Sequence, residues 1–110
     1  MIRLLALALV VAACAAPGAS AGPVATDRVD LPKSYRFAPP VITVATGTTV
    51  TWTNNDNFTH SVQFPGEPSP DQVMRPGEGA KRTFDAAGTF DYVCTFHPQD
   101  MTGTVVVTAD

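Results

Sequence analysis

Residues 88–101 read Gly88-Thr89-Phe90-Asp91-Tyr92-Val93-Cys94-Thr95-Phe96-His97-Pro98-Gln99-Asp100-Met101. The change of character at Cys94 decides the fold. Before it, Phe90, Tyr92 and Cys94 recur at every second position, the period of a strand buried on one face. After it the alternation stops, and it resumes in the Val-rich residues 103–108. Strand, short loop, strand is the prediction.

The same pattern runs upstream. Residues 48–54 place Val50 and Trp52 on one face and Thr49, Thr51 and Thr53 on the other, so they predict another half-buried strand. Residues 41–45, 59–64 and 80–84 are also extended in character. Residues 29–31 and 35–37 read as short strand pieces broken by Pro32. Pro39-Pro40 ends that segment because neither residue offers a backbone donor. Residues 54–57, Asn-Asn-Asp-Asn, are a turn cluster. Residues 65–79 hold four Pro and three Gly and predict a long surface loop, with Met74 as its apolar anchor. The expected class is all-β: a β-sandwich of about seven to eight strands.

Composition agrees. The chain has 110 residues, 45% hydrophobic and 15% charged, with 10 Pro and 8 Gly, which suits one domain of short strands and many turns. Net charge is −3 and the largest basic cluster is the pair Lys81-Arg82. A nucleic-acid partner is therefore not expected.

Residues 4–11 are an unbroken apolar run behind Arg3, with the layout of a signal peptide. The following Ala12-Ala13-Cys14 resembles the lipobox of bacterial lipoproteins, which implies lipidation of Cys14 and attachment at a membrane surface. Ala19-Ser20-Ala21 offers an alternative cleavage site. Either way the protein is expected outside the cytoplasm, lipid-anchored or soluble. The division is a signal peptide at 1–13, a flexible tether at 14–27 and the folded domain at 28–110.

An exported domain with one thiol needs a reason for it. An immunoglobulin-like sandwich would also carry a Cys, a Trp and a second Cys two residues after a Tyr, as Tyr92 and Cys94 suggest. Here the only partner is Cys14, in the export signal, so Cys94 stays free. The reason lies in the spacing C-x2-H-x3-M from Cys94 through His97 to Met101. A soft thiolate, an imidazole and a thioether within eight residues suit a copper ion that cycles between Cu(I) and Cu(II). The chain's one other histidine, His60, is available as the second imidazole. Taken singly, each residue has a plain structural role: a surface histidine, a buried thiol, a core methionine. Taken together they point to a single metal site.

The segments at 37–39, 42–44, 47–52, 58–62, 87–94 and 97–107 resemble the cupredoxins, in particular the plastocyanin/azurin-type blue copper proteins, amicyanin and halocyanin included. The resemblance covers residues 29–108. It implies a Greek-key sandwich with one copper at an end, His60, Cys94 and His97 in the copper plane and Met101 as the axial ligand. The spacing of three residues between His97 and Met101 departs from amicyanin and plastocyanin, which leaves Gln99 as a second candidate axial donor. Beside the ligands, Ser61 is expected to tie the two ligand loops together near Thr95. Phe96, where relatives carry Pro, keeps a backbone N–H that could reach the thiolate. An apolar patch around His97, with Phe96, Pro98 and Pro39 or Pro40, is the expected electron port.

These readings predict a monomeric one-electron carrier serving redox partner proteins at the cell envelope. The alternative is extracytoplasmic copper trafficking or buffering, though Met-rich and His-rich tracts are lacking. Catalysis is not expected, because the chain has no further histidines for an exchangeable copper.

Overall fold

The computed structural model describes residues 22–109. The expected signal peptide, Cys14 and the Ala19-Ser20-Ala21 site lie outside them. Nine strands form among the described residues: β1 (Val24–Ala25), β2 (Arg28–Leu31), β3 (Val41–Ala45), β4 (Thr48–Asn54), β5 (His60–Val62), β6 (Gln72–Met74), β7 (Gly79–Phe84), β8 (Gly88–Val93) and β9 (Thr102–Thr108). One sheet has the order β1-β3-β9-β8 and the other β2-β4-β7, with β5 and β6 as a separate pair. The chain changes sheets between β1 and β2, β2 and β3, β3 and β4, and β7 and β8. Sequence neighbours therefore seldom pair, as in the expected Greek-key sandwich.

The alternation of the sequence becomes the two inner faces. Val50, Trp52 and Asn54 of β4 point inward, opposite Ile42 and Val44 of β3 and Val105 and Val107 of β9. Each fully buried aliphatic or aromatic side chain contributes about 1.5–3 kcal/mol. At the centre Trp52 meets Tyr92 edge to face at 5.3 Å, and Phe37 meets Tyr92 at 4.7 Å, spacings favoured by the ring quadrupoles.

Three segments differ from expectation. Val24 and Ala25, within the stretch expected as a tether, pair in parallel with Ile42 and Thr43. The Pro- and Gly-rich stretch 65–79 is not all loop: Gln72–Met74 pair with β5, and Met74 is fully buried. Residues 35–37 are not a strand. Ser34 and Tyr35 have φ of 137° and 54°, which breaks any ladder there.

Among the described residues, the core polar atoms Tyr92 Oη and Trp52 Nε1 make no hydrogen bond of normal geometry, though the indole N–H is near enough to act on the phenol. Burial pushes the Tyr92 phenol up to about 12, partly opposed by the facing indole N–H. Since the folded pKa lies above the unfolded value of 10.0, this contribution is intact below pH ~10 and is lost as pH rises toward the folded value. The copper-free protein should lose roughly 2–3 kcal/mol across that window in denaturant titrations. Tyr92→Phe should remove the loss without destabilising the protein at neutral pH. The same ring closes over Gly103, where a Cβ would collide with its hydroxyl end. Gly103→Ala should therefore cost about 1–3 kcal/mol by thermal or denaturant melts.

Candidate metal centre

Cys94 follows the last residue of β8, and Met101 precedes the first of β9. Because β8 and β9 are antiparallel partners, with Val93 opposite Thr102, the loop between them must turn back within eight residues. It does so by local hydrogen bonds. Cys94 N–H donates to Met101 O at 3.0 Å and closes the loop at its base. His97 N–H donates to Cys94 O at 3.1 Å, and Met101 N–H donates to His97 O at 2.9 Å. The thiol and the thioether residue are both fully buried, while His97 is half-buried at the loop's outer bend.

His60 comes from the other side. It opens β5, which is fastened to the end of β8 by a reciprocal backbone pair, Gln63 N–H to Val93 O and Val93 N–H to Gln63 O, each 2.9 Å. This fastening brings His60 Nδ1 to 3.7 Å from Cys94 Sγ. A first-row ion at about 2.0 Å from nitrogen and about 2.3 Å from sulfur, with about 120° between them, would hold the pair about 3.7 Å apart. The pair thus fits a shared metal. The ring of His97 has its centroid 5.7 Å from that of His60. Among the described residues no three His, Cys, Asp or Glu side chains group as a metal site by themselves; His60 and Cys94 are in contact, and the His97 ring stands beside that of His60. Gln99 is exposed on the outer face of the loop.

The other ring nitrogen of His60 is also committed. Nε2 lies 2.8 Å from Asp56 Oδ2, with both side chains buried. Asp56 Oδ1 accepts from Asn57 N–H at 2.7 Å. The turn carrying Asp56 is itself held by Asn54, whose amide donates to Phe58 O and Met74 O. The hydrogen bond from His60 holds the Asp56 carboxyl below the usual range, against the opposing effect of burial. An ionised Asp56 fixes the Nε2–H tautomer and leaves the Nδ1 lone pair facing Cys94, the usual arrangement behind a metal-bound histidine.

Ser61 N–H donates to Cys94 Sγ at 3.4 Å. Ser61 Oγ lies 2.8 Å from Thr95 Oγ1 and accepts from Thr95 N–H at 2.8 Å. The bond expected from Phe96 N–H to the thiolate does not form. Phe96 is the third residue of the turn closed by His97 N–H to Cys94 O, and its side chain is 52% exposed.

Three residues near the site escaped sequence reasoning. Asp56 carried a signal, four residues before the only upstream histidine, but it was read as part of a polar turn. Tyr35 carried none, since no rule predicts a tyrosine at positive φ. Its ring packs edge-on against His97 at 4.7 Å and His60 at 5.7 Å and stacks on Phe58 at 5.5 Å. Tyr35 is thus an aromatic neighbour of both histidines. The third is Asp71, which accepts from Thr95 Oγ1 at 2.7 Å. Phe96, His97 and Pro98 line a shallow surface hollow of 290 Å³ with Gln99 and Asp100.

Comparison with known proteins places this geometry. The family model described as "Copper binding proteins, plastocyanin/azurin family" matches residues 26–108. Amicyanin-alpha of Methylorubrum extorquens is 34% identical over 119 aligned residues, covering 96% of this chain and 98% of the relative. Plastocyanin of Scenedesmus fuscus is 36% identical, covering 64% of this chain and 85% of the relative. Among solved structures, a purple cupredoxin from Nitrosopumilus maritimus superposes with a TM-score of 0.69 at 26% identity, covering 74% of this chain and 98% of the other. An oxidised amicyanin mutant superposes with 0.68 at 38% identity, covering 74% and 80%. The sandwich is that of a cupredoxin. The chain belongs to the plastocyanin/azurin family of copper-binding proteins, and its cofactor is one copper ion.

The Asp56–His60 bond gives a direct test. In the copper-free protein, nitrogen-15 NMR should show a His60 Nε2–H protected from exchange. Asp56→Ala should abolish that protection, while Asn57→Ala should leave it in place.

Proposed function

We propose that copper is held by His60 Nδ1, Cys94 Sγ and His97, with the Met101 thioether as axial ligand, and that the protein is a type 1 copper one-electron carrier. One observation carries the reading: a fully buried thiol 3.7 Å from a buried imidazole whose other nitrogen is locked by a carboxylate. Bound copper supplies the one-electron Cu(I)/Cu(II) couple. The chain supplies a frame that limits rearrangement between the two states. Asp56 holds the His60 tautomer, and the Ser61 N–H shares the charge of the Cys94 sulfur. The closed 94–101 loop keeps Met101 out of water.

His97 is the path outward. It is the half-buried donor residue, with the exposed ring of Tyr35 packed against it, Phe58 stacked on Tyr35 and exposed Phe96 next to it in the chain. A redox partner protein docking over these rings comes within a few side chains of the copper. The export signal at residues 1–13 and lipidation of Cys14 place the carrier at the outer face of the cytoplasmic membrane. Its role there is transfer between partners as a monomer, with no reaction of its own.

Loading the purified protein with Cu(II) should give intense thiolate-to-copper absorption and slow copper loss. Cys94→Ser should abolish the band. Met101→Leu should keep the band and raise the reduction potential, because a weaker axial donor favours Cu(I). A colourless adduct, or rapid handover of Cu(I) to a chelator, would contradict the carrier reading.

A further inference from the structure

Asp71 lies in the excursion between β5 and β6, remote in sequence from every proposed ligand. It is half-buried, and its two oxygens have different fates. Oδ2 accepts from the Thr95 hydroxyl at 2.7 Å, whereas Oδ1 is buried and has no partner among the described residues. Leaving a carboxylate oxygen in that state is unfavourable. The contact of Oδ2 with Thr95 itself needs only an acceptor at this position.

The hydrogen-bond directions show what the carboxylate does. Thr95 has one hydroxyl proton, and Asp71 takes it. The 2.8 Å contact between the two hydroxyls must then run from Ser61 O–H to Thr95 Oγ1. Ser61 Oγ, having donated, accepts the Thr95 backbone N–H. The direction of both hydroxyl protons in this clasp follows from the acceptor at position 71. The clasp joins Ser61, whose own backbone N–H reaches Cys94 Sγ at 3.4 Å, to the residue immediately after Cys94. Chains of this kind polarise one another, and hydrogen bonds around a ligand sulfur set how firmly it holds its metal.

We infer that Asp71 is a positioning residue of the copper site, acting through Thr95 and Ser61 to hold the N–H donor on the Cys94 sulfur. The inference rests on the reading of Cys94 as a copper ligand. It makes the 65–71 excursion part of the metal site rather than a plain connection.

The test uses the copper-loaded full domain. Asp71→Ala should speed copper loss to a chelator about tenfold, shift the thiolate-to-copper band, and move the Ser61 amide resonance in the copper-free protein. Asp71→Asn, whose side-chain oxygen can still accept from Thr95, should restore most of all three. Thr95→Val should reproduce the Asp71→Ala effect, and the double variant should be no worse than either single one. A role confined to loop anchoring would lower the melting temperature and leave the band and off-rate at wild-type values, which would overturn the inference. So would an Asp71→Asn variant no better than Asp71→Ala. If Asp71→Ala does not fold, Thr95→Val and Asp71→Asn decide the matter by the same readouts. A wild-type band that survives Cys94→Ser would instead sink the ligand reading on which the inference stands.

Discussion

The reciprocal backbone pair between Gln63 and Val93 joins β5 to the end of β8. It sets the register of His60 and Ser61 against Cys94, which the Ser61 bonds to Cys94 and Thr95 then hold. With it, one strand delivers an imidazole and a backbone N–H to the sulfur from one side. The loop closed by Cys94 N–H and Met101 O presents the sulfur from the other. Both halves are tied to the sandwich through strands whose inner faces are packed, so neither can shift alone. The donor geometry follows from the β-ladders, and the metal does not have to build it from a disordered chain.

Around this fixed pair the structure limits the freedom of each polar group. His60 is held through Asp56, Ser61 through Thr95, and Thr95 through Asp71. These are buried or half-buried interactions, where a hydrogen bond is stronger than in water and an unmade one costs more. The aromatic residues act differently. Tyr35 sits over both histidines in a backbone conformation unusual for its type, a placement the surrounding packing must sustain. The sandwich thus ends in a dry interior of donors under a rim of exposed rings.

Much of the fold could be read directly from the sequence, because its cause is local. Alternation at Val50 and Trp52, and at Tyr92 and Cys94, reports a buried face wherever it occurs. The short strand β6 was hidden because only three residues pair, inside a stretch whose Pro and Gly content signals loop. β1 was hidden for a similar reason: two residues pair by their backbones while their side chains stay exposed. Around the candidate site, the residue types and spacing at Cys94, His97 and Met101 were legible because soft donors so close together have few other uses. Tyr35 and Asp71 were not, because each acts through tertiary contacts that leave no periodic trace; the four-residue spacing of Asp56 and His60 was visible, but in a polar turn it does not by itself signal a contact.

The central claim is that the chain's own hydrogen bonds fix the His60–Cys94 geometry, independently of the oxidation state of the copper. High-resolution crystal structures of the oxidised and reduced protein test this most directly. The account predicts that His60 Nδ1 and Cys94 Sγ stay close to their 3.7 Å separation in both states, both bound to copper, with the His60–Asp56 bond intact. A structure in which His60 has turned away from Asp56, or in which copper is held without the Cys94 sulfur, would contradict it.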